Sequence, residues 1–238
     1  MASQHAVILG GSSGIGLATA RHLLGIGFQV TITGRDESKL KAAHSALGGS
    51  ASAITADATD PVAMRKAFVQ IGPFDHLILA LGSGKGVGPF AAVDLDTVRQ
   101  GFDEKVFAHF GSAQAALATL SKTGSIVFIS AVSAQAAMPG TAGIGAANAA
   151  VAALVPILAA ELKPIRVNGV SPGVIDTPWW DFLPPDQKGM AFAGFAARTP
   201  VGRVGRPEDV AQAIGFLVTD TFMCGHMLIC DGGVRLAG

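Results

Sequence analysis

The sequence predicts an α/β fold, in which a doubly wound parallel sheet of about seven strands carries helices on both faces. Short, uniformly apolar runs alternate with helical segments from one end of the chain to the other. Strands that do not alternate apolar with polar residues are buried on both faces, which is typical of parallel sheets covered by helices. The 238 residues show no linker or repeat, and we expect one domain spanning 1–238.

The first half of the chain contains four predicted strands separated by helices. The strands are 6–9, 30–33, 51–55 and 76–81, and the first helix is 16–24. Asp36 is a predicted N-cap for a helix that ends near residue 47. Thr59-Asp60-Pro61 predicts the next helix start, because proline is tolerated in a first turn.

The second half continues the alternation. Strands are predicted at 125–130, 166–170 and 227–230, and helices at 145–162 and 207–217. A long helix is predicted at 95–120, because apolar residues recur there at helical spacing. The residues expected to face the core are Val98, Phe102, Val106, Phe110, Ala113, Leu117 and Leu120.

The helix at 145–162 is the most apolar long stretch of the chain. A membrane span needs about 20 apolar residues, and this stretch contains Asn148 and Pro156 and ends at Glu161. A helix that is apolar on nearly every side is buried on nearly every side. We therefore expect no membrane span, but a helix packed between the sheet and a second subunit.

Composition excludes several function classes. The formal net charge is zero at pH 7, so the chain has no charge excess to attract nucleic acid or an anionic membrane. Cys224 and Cys230 lie outside any Cys/His cluster, and no metal site is expected. No basic stretch precedes an apolar one at the N-terminus, and a cytoplasmic location is expected.

A glycine-rich turn joins the first strand to the first helix. Glycine lets the backbone approach a pyrophosphate, and the helix N-terminus supplies free N–H groups and partial positive charge. This placement predicts a Rossmann-type dinucleotide site. The residues of the predicted site in this turn are Gly10, Ser12, Ser13, Gly14, Ile15 and Gly16.

Later motifs occur in the order found in one family. Arg166-Val167-Asn168 is followed by Ser171-Pro172-Gly173, then by Gly205-Arg206-Pro207-Glu208-Asp209-Val210, and the chain closes with Asp231-Gly232-Gly233. With the glycine turn, these motifs make the chain resemble the classical short-chain dehydrogenase/reductases over essentially its whole length. Leu9 stands where that family has a threonine.

The resemblance implies where a nicotinamide dinucleotide would lie. Asp57 matches the position that contacts adenine, while Ile175 and Thr177 match residues at the nicotinamide carboxamide. Arg35 follows the second strand, where arginine favours the 2′-phosphate of NADP(H) over NAD, or else is a solvated loop residue. The further cofactor positions that the resemblance implies are Ala58, Ala80, Leu81, Gly82, Asn148, Pro172 and Gly173.

The family's catalytic residues are asparagine, serine, tyrosine and lysine, but this chain contains no tyrosine. The flanking motifs place Ile144 at the tyrosine position and Asn148 at the lysine position, four residues later. They place Ala131 at the serine and Lys105 at the asparagine. Carbonyl reduction requires a proton as well as a hydride, so turnover by the family's standard mechanism is predicted to be negligible.

Substitutes for the lost groups exist in the sequence. Lys105 either exchanges a proton with a lowered pKa, or replaces the missing lysine, or packs its stem under the sheet with its amine in water. Ser133 and Ser130 either orient a substrate or satisfy the backbone of a turn. His109, one turn from Lys105, either shares its surroundings or is a hydrogen-bonded helix histidine.

The segment 176–203 matches the family's variable substrate loop. Its apolar side chains favour a small apolar substrate, or else a lid that packs on itself. These residues are Trp179, Trp180, Phe182, Met190, Phe192 and Phe195. The resemblance also implies a homotetramer or homodimer.

Three functions remain open at this point. The favoured one is an atypical NADP(H)-dependent oxidoreductase that works without the tyrosine acid. The alternatives are a catalytically inactive NADPH-binding sensor or partner subunit, and a non-redox lyase or isomerase built on the same scaffold.

Overall fold

The computed structural model describes residues 3–237 and contains one parallel sheet of seven strands, in the order β3-β2-β1-β4-β5-β6-β7. The strands are β1 His5–Leu9, β2 Gln29–Gly34, β3 Ser52–Thr55, β4 Phe74–Leu79, β5 Leu120–Ile129, β6 Arg166–Pro172 and β7 Met227–Cys230. The α-helices are α1 Gly14–Gly25, α2 Glu37–Ala46, α3 Pro61–Ile71, α4 Leu95–Phe102, α5 Ala108–Ala116, α6 Ala142–Glu161, α7 Pro185–Arg198 and α8 Pro207–Thr219.

The sheet separates two apolar layers, which confirms the predicted Rossmann-type architecture. One layer packs α1, α2 and α8 against the sheet around Leu23, Ile32 and Ile214, none of which is exposed. The other packs α3, α5 and α6 around Phe68, Phe128 and Val155. Strand order reverses beside β1, which pairs with both β2 and β4. In such sheets, ligands bind at the carboxyl ends of the strands near this reversal.

The helix starts predicted from capping residues are confirmed. The Asp36 carboxylate accepts a hydrogen bond from the backbone N–H of Lys39 at 3.0 Å. Asp60 accepts from the N–H groups of Val62 and Ala63, with Pro61 as the first helical residue. These bonds satisfy N–H groups that have no partner inside the helix.

The long helix predicted at 95–120 is wrong in two respects. A π-helical turn, Asp103–Phe107, separates α4 from α5, and the helix ends at Ala116, because Leu120 pairs with Phe74 as the start of β5. A wide turn inserts residues into the helical repeat and rotates everything after it. His109 is therefore fully buried, whereas Phe110, which was expected in the core, is 48% exposed.

The segment 176–203 contains a helix that the sequence pattern did not predict. Helix α7, Pro185–Arg198, has no fully buried residue, and Trp180 packs against Phe182, Phe192 and Phe195. Lys188, in the first turn of α7, links this helix to the start of the segment, with its amine 3.1 Å from Asp176 and 3.4 Å from Asp181. Three of these aromatic residues, Trp180, Phe182 and Phe195, also line the cavity at the carboxyl ends of the strands.

Helix α6 passes the length and composition test for a membrane span, with a mean hydropathy of 1.9. One such helix is weak evidence, because core helices of soluble proteins pass the same test. Val151 and Val155 are fully buried against the sheet. Only 22% of the apolar window of α6 is buried in the single chain. The expected burial on the sheet side is present, and the outer side is uncovered in the single chain.

Candidate cofactor and active site

A cavity of about 650 Å³ opens at the carboxyl ends of the central strands. Every residue predicted from the sequence to contact the cofactor lines it, as do Lys105, Ala131, Ser133 and Ile144. The predicted cofactor residues in the lining are Gly10, Ser12, Ser13, Gly14, Ile15, Gly16, Arg35, Asp57, Ala58, Ala80, Leu81, Gly82, Asn148, Pro172, Gly173, Ile175 and Thr177.

The glycine turn leaves backbone atoms uncovered along the cavity. Gly10 has a φ of +74°, and a Cβ atom there would collide with the carbonyl oxygen of Ala80. A Cβ at Gly16 would collide with the carbonyl of Gly10. Ser13 is the N-cap of α1 and makes no side-chain cap bond. The first N–H groups of α1 are therefore available to an anion such as a pyrophosphate, which fits a dinucleotide.

Two cations border the cavity beyond β2. Arg35 and Lys39 are exposed, and neither forms an ion pair among residues 3–237. Lys39 was not predicted from the sequence. It lies in the first turn of α2, four residues after Arg35, and this spacing could have indicated a second cation at the same place. Asp57 accepts two hydrogen bonds on one carboxylate oxygen, from the N–H and hydroxyl of Thr59 at 2.9 and 2.8 Å.

Lys105 lies in the π-helical turn and is 5% exposed. Its ammonium donates to the backbone carbonyls of Leu81, at 2.8 Å, and Ile129, at 2.7 Å. An ammonium group has three N–H donors, so one remains. Burial lowers the pKa of Lys105 to about 7, because a charged amine is poorly solvated there. The amine is thus not in open water, and it can exist in either protonation state near neutrality.

Asn148 is buried on α6 and is tied to both serines near the lost catalytic positions. The Ser130 hydroxyl donates to the backbone carbonyl of Asn148 at 2.8 Å, so this serine serves the structure. The Asn148 amide donates to the Ser133 hydroxyl at 3.2 Å. Its Oδ1 atom has no hydrogen-bond partner among residues 3–237. Buried polar atoms are rarely left unpaired, and this acceptor fits a ligand hydroxyl such as that of a ribose.

His109 does not join this group of side chains. It is fully buried, and its ring nitrogens lie 2.6 Å from the carbonyl of Lys105 and 3.1 Å from the carbonyl of Leu79. Burial lowers its pKa to about 3, with the charge of Lys105 acting in the same direction. A neutral histidine that donates its one N–H to a backbone carbonyl is the hydrogen-bonded helix histidine foreseen for it in the sequence.

The far end of the cavity has an aromatic wall and a carboxylate. Trp179, Trp180, Phe182 and Phe195 line it, whereas Met190 and Phe192 do not. The carboxylate of Glu104 lines it too, and accepts a hydrogen bond from the Ser83 hydroxyl at 2.8 Å. Neither Glu104 nor Ser83 was predicted from the sequence, because 21 positions separate them and no local motif marks either one.

Comparison with known proteins identifies the family. A family profile described as enoyl-(acyl carrier protein) reductase matches residues 10–235. A short-chain dehydrogenase/reductase of Stachybotrys chlorohalonatus is 32% identical over 253 residues, covering 98% of this chain and 97% of that protein. This chain belongs to the short-chain dehydrogenase/reductase family.

Other short-chain dehydrogenase/reductase relatives cover equally large parts of the chain. A cis-4-hydroxycyclohexanecarboxylate dehydrogenase of Sinomonas cyclohexanicum is 34% identical over 249 residues, covering 98% of this chain and 96% of that protein. The crystal structure of a small-chain dehydrogenase in complex with NADPH superposes with a TM-score of 0.86 and 29% identity, covering 98% of this chain and 99% of that one. That dehydrogenase, which has the same architecture as this chain, therefore binds NADPH.

Proposed function

We propose that this protein is an NADP(H)-dependent oxidoreductase that reduces a small, largely apolar substrate without a tyrosine acid. The single observation that carries the proposal is the cavity itself, whose lining contains the open N-terminus of α1, a buried amine and two cations that have no ion-pair partner among the described residues. The NADPH complex of a relative with the same fold supports the choice of cofactor.

The chain's own residues would divide the work along the cavity. The N–H groups at the start of α1 would hold the pyrophosphate, and Arg35 with Lys39 would hold the 2′-phosphate. Asn148 Oδ1 would accept from the nicotinamide ribose. When bound, the nicotinamide supplies a hydride. Lys105, whose pKa burial lowers to about 7, would deliver the proton that a carbonyl or enone acceptor requires.

Ile144 and Ala131 line the same cavity and carry no proton to give. An aliphatic side chain in place of the phenol favours acceptors that need little acid assistance. The same absence keeps a second function in view, namely an NADPH-binding sensor or partner subunit with no turnover. The two hydrogen bonds from Lys105 to backbone carbonyls favour that alternative, because they occupy most of its donors.

A binding titration followed by a substrate panel tests the proposal. We expect NADPH to bind with a lower Kd than NADH, and its absorbance at 340 nm to fall with at least one acceptor among ketones, enones and imines. NADPH binding with no oxidation by any acceptor would identify the sensor instead. Product formation without a dinucleotide would identify a lyase or isomerase, and failure to bind either coenzyme would refute the proposal.

We also propose that α6 pairs with α6 of a second copy in a homodimer or homotetramer. Its outer side carries Ala149, Ala153 and Ile157, all exposed in the single chain, and an apolar face of this kind is self-complementary across a two-fold axis.

Replacing Ala153 with glutamate is expected to halve the mass of the oligomer, from dimer to monomer or from tetramer to dimer, because a buried unpaired carboxylate is costly. Light scattering after gel filtration measures the mass. Ala42→Glu, at an exposed position of α2, is the matched control, and an unchanged mass for Ala153→Glu would contradict the interface.

A further inference from the structure

The substrate end of the cavity carries a negative charge beside aromatic faces. Glu104 is one of two acidic residues in the described lining, and the other, Asp57, follows β3 toward the opposite side of the sheet. The Ser83 hydroxyl fixes one oxygen of Glu104, and the Ser83 carbonyl accepts a hydrogen bond from the Trp179 indole at 3.0 Å. Carboxylate, serine and indole therefore form one continuous surface.

The aromatic part of this surface is held together by contacts between rings and by one indole hydrogen bond. Trp179 meets Trp180 edge to face at 4.8 Å between ring centroids and meets Phe182 at 5.4 Å. The indole of Trp180 donates to the carbonyl of Ile175 at 3.0 Å. Aromatic faces attract cations, most strongly when the cation is desolvated, and a carboxylate nearby adds a full opposite charge.

We propose that the substrate is a preformed iminium cation, recognised by Glu104 and the wall of Trp179, Trp180 and Phe182. This inference rests on the proposed function and names the substrate class of the same site. An iminium substrate explains why a carboxylate and aromatic rings lie where the substrate would bind. It also explains why the site needs no phenol.

An iminium ion needs no acid, since its nitrogen already carries the charge that a ketone oxygen would have to receive as a proton. A C–H bond forms at the iminium carbon with the hydride that NADPH loses from C4. The π electron pair of the C=N bond becomes the lone pair of nitrogen. The products are an amine and NADP⁺, and no proton is consumed.

Lys105 is the one other ionisable residue in the described lining at this end, and its neutral amine does not repel a cation. Lys105 directs its amine to the carbonyls of Leu81 and Ile129, and burial lowers its pKa to about 7. Lys85 is exposed and lies outside the lining. Lys188 is paired with Asp176 and Asp181. Above pH 7, where the neutral amine predominates, the net charge offered to the substrate is that of Glu104.

Binding can be measured without turnover, because both tryptophans of the chain lie in this wall. The probe is the N-methyl-3,4-dihydroisoquinolinium cation, added to protein saturated with NADP⁺, and the signal is tryptophan fluorescence. The neutral comparison is 3-methyl-1,2-dihydronaphthalene, which has the same shape without the charge. We expect the cation to bind more tightly than the hydrocarbon.

Glu104→Gln keeps a hydrogen-bond acceptor for Ser83 and removes the charge. We expect it to weaken binding of the cation at least about 10-fold, with the hydrocarbon and NADPH unaffected. Asp103→Asn is the matched control, because Asp103 is exposed on the same turn, outside the lining. With deuterated NADPH, mass spectrometry should find the label at C1 of the reduced isoquinoline.

Equal affinity of wild type and Glu104→Gln for the cation would overturn the inference, and so would equal binding of the cation and the hydrocarbon. If NADPH binds and ketones or enones are reduced while the cation is ignored, the inference alone fails and the proposed function stands. If NADPH itself does not bind, the proposed function fails first.

Discussion

Replacing Lys105 with methionine is expected to lower kcat for an enone acceptor such as 2-cyclohexenone by about 10²-fold or more, the range in which general acid catalysis contributes. Methionine retains the length of the stem and has no proton to donate. NADPH affinity should stay close to that of wild type, because the amine bonds to Leu81 and Ile129 carbonyls and not to the phosphate end of the cavity.

The pH profile separates proton donation by Lys105 from a structural role. The pKa of this amine is lowered to about 7, so the acid form predominates below pH 7 and is lost as pH rises above it. Wild-type kcat for the enone should therefore be level below pH 7 and fall about tenfold per pH unit above it. Lys105→Met should abolish this limb.

Lys122→Met provides the control, since Lys122 is exposed on β5 and far from the lining. Circular dichroism and an NADPH titration establish that the Lys105 variant is folded. An unchanged kcat in folded Lys105→Met, or a profile with the same alkaline limb, would exclude Lys105 as the acid and leave water as the proton source.

Local chemistry in the sequence was enough to predict the fold and the glycine turn that lines the cavity. The glycine turn between Leu9 and Gly16 has few geometries available, and the capping residues Asp36 and Asp60 act on backbone atoms two or three positions away. Interactions of this range leave a pattern in the sequence. For the same reason, Arg35 could be predicted to border the cavity from its place after β2.

The aromatic end of the cavity depends on contacts between distant parts of the chain. The indole of Trp179 reaches the Ser83 carbonyl across 96 positions, and Ser83 reaches Glu104 across 21. The π-helical turn at Asp103–Phe107 interrupts the helix, and helical spacing alone contains no sign of it. Lys105 lies in that turn and is buried there. The sequence permits a lowered pKa for this amine, but the burial that lowers the pKa is visible only in the packed structure.

Replacing Arg35 with aspartate is expected to raise the Kd for NADPH about 100-fold, which corresponds to about 2.7 kcal/mol. Arg35 offers a planar fork of donors to a phosphate, and aspartate substitutes a negative charge that repels the 2′-phosphate. The Kd for NADH should change less than about threefold, because an acidic residue at this position favours a ribose 2′-hydroxyl. Fluorescence titration with both coenzymes measures the ratio.

Lys39, the second cation at this end of the cavity, provides a further test of phosphate recognition. Lys39 lies beside Arg35 in the cavity lining, so Lys39→Met should weaken NADPH binding by a smaller factor, about tenfold, without affecting NADH. Arg65→Asp makes the same charge change on the exposed side of α3 and should leave both affinities alone. Equal losses of NADPH and NADH affinity in Arg35→Asp would mean that this arginine supports the loop and does not select the phosphorylated coenzyme.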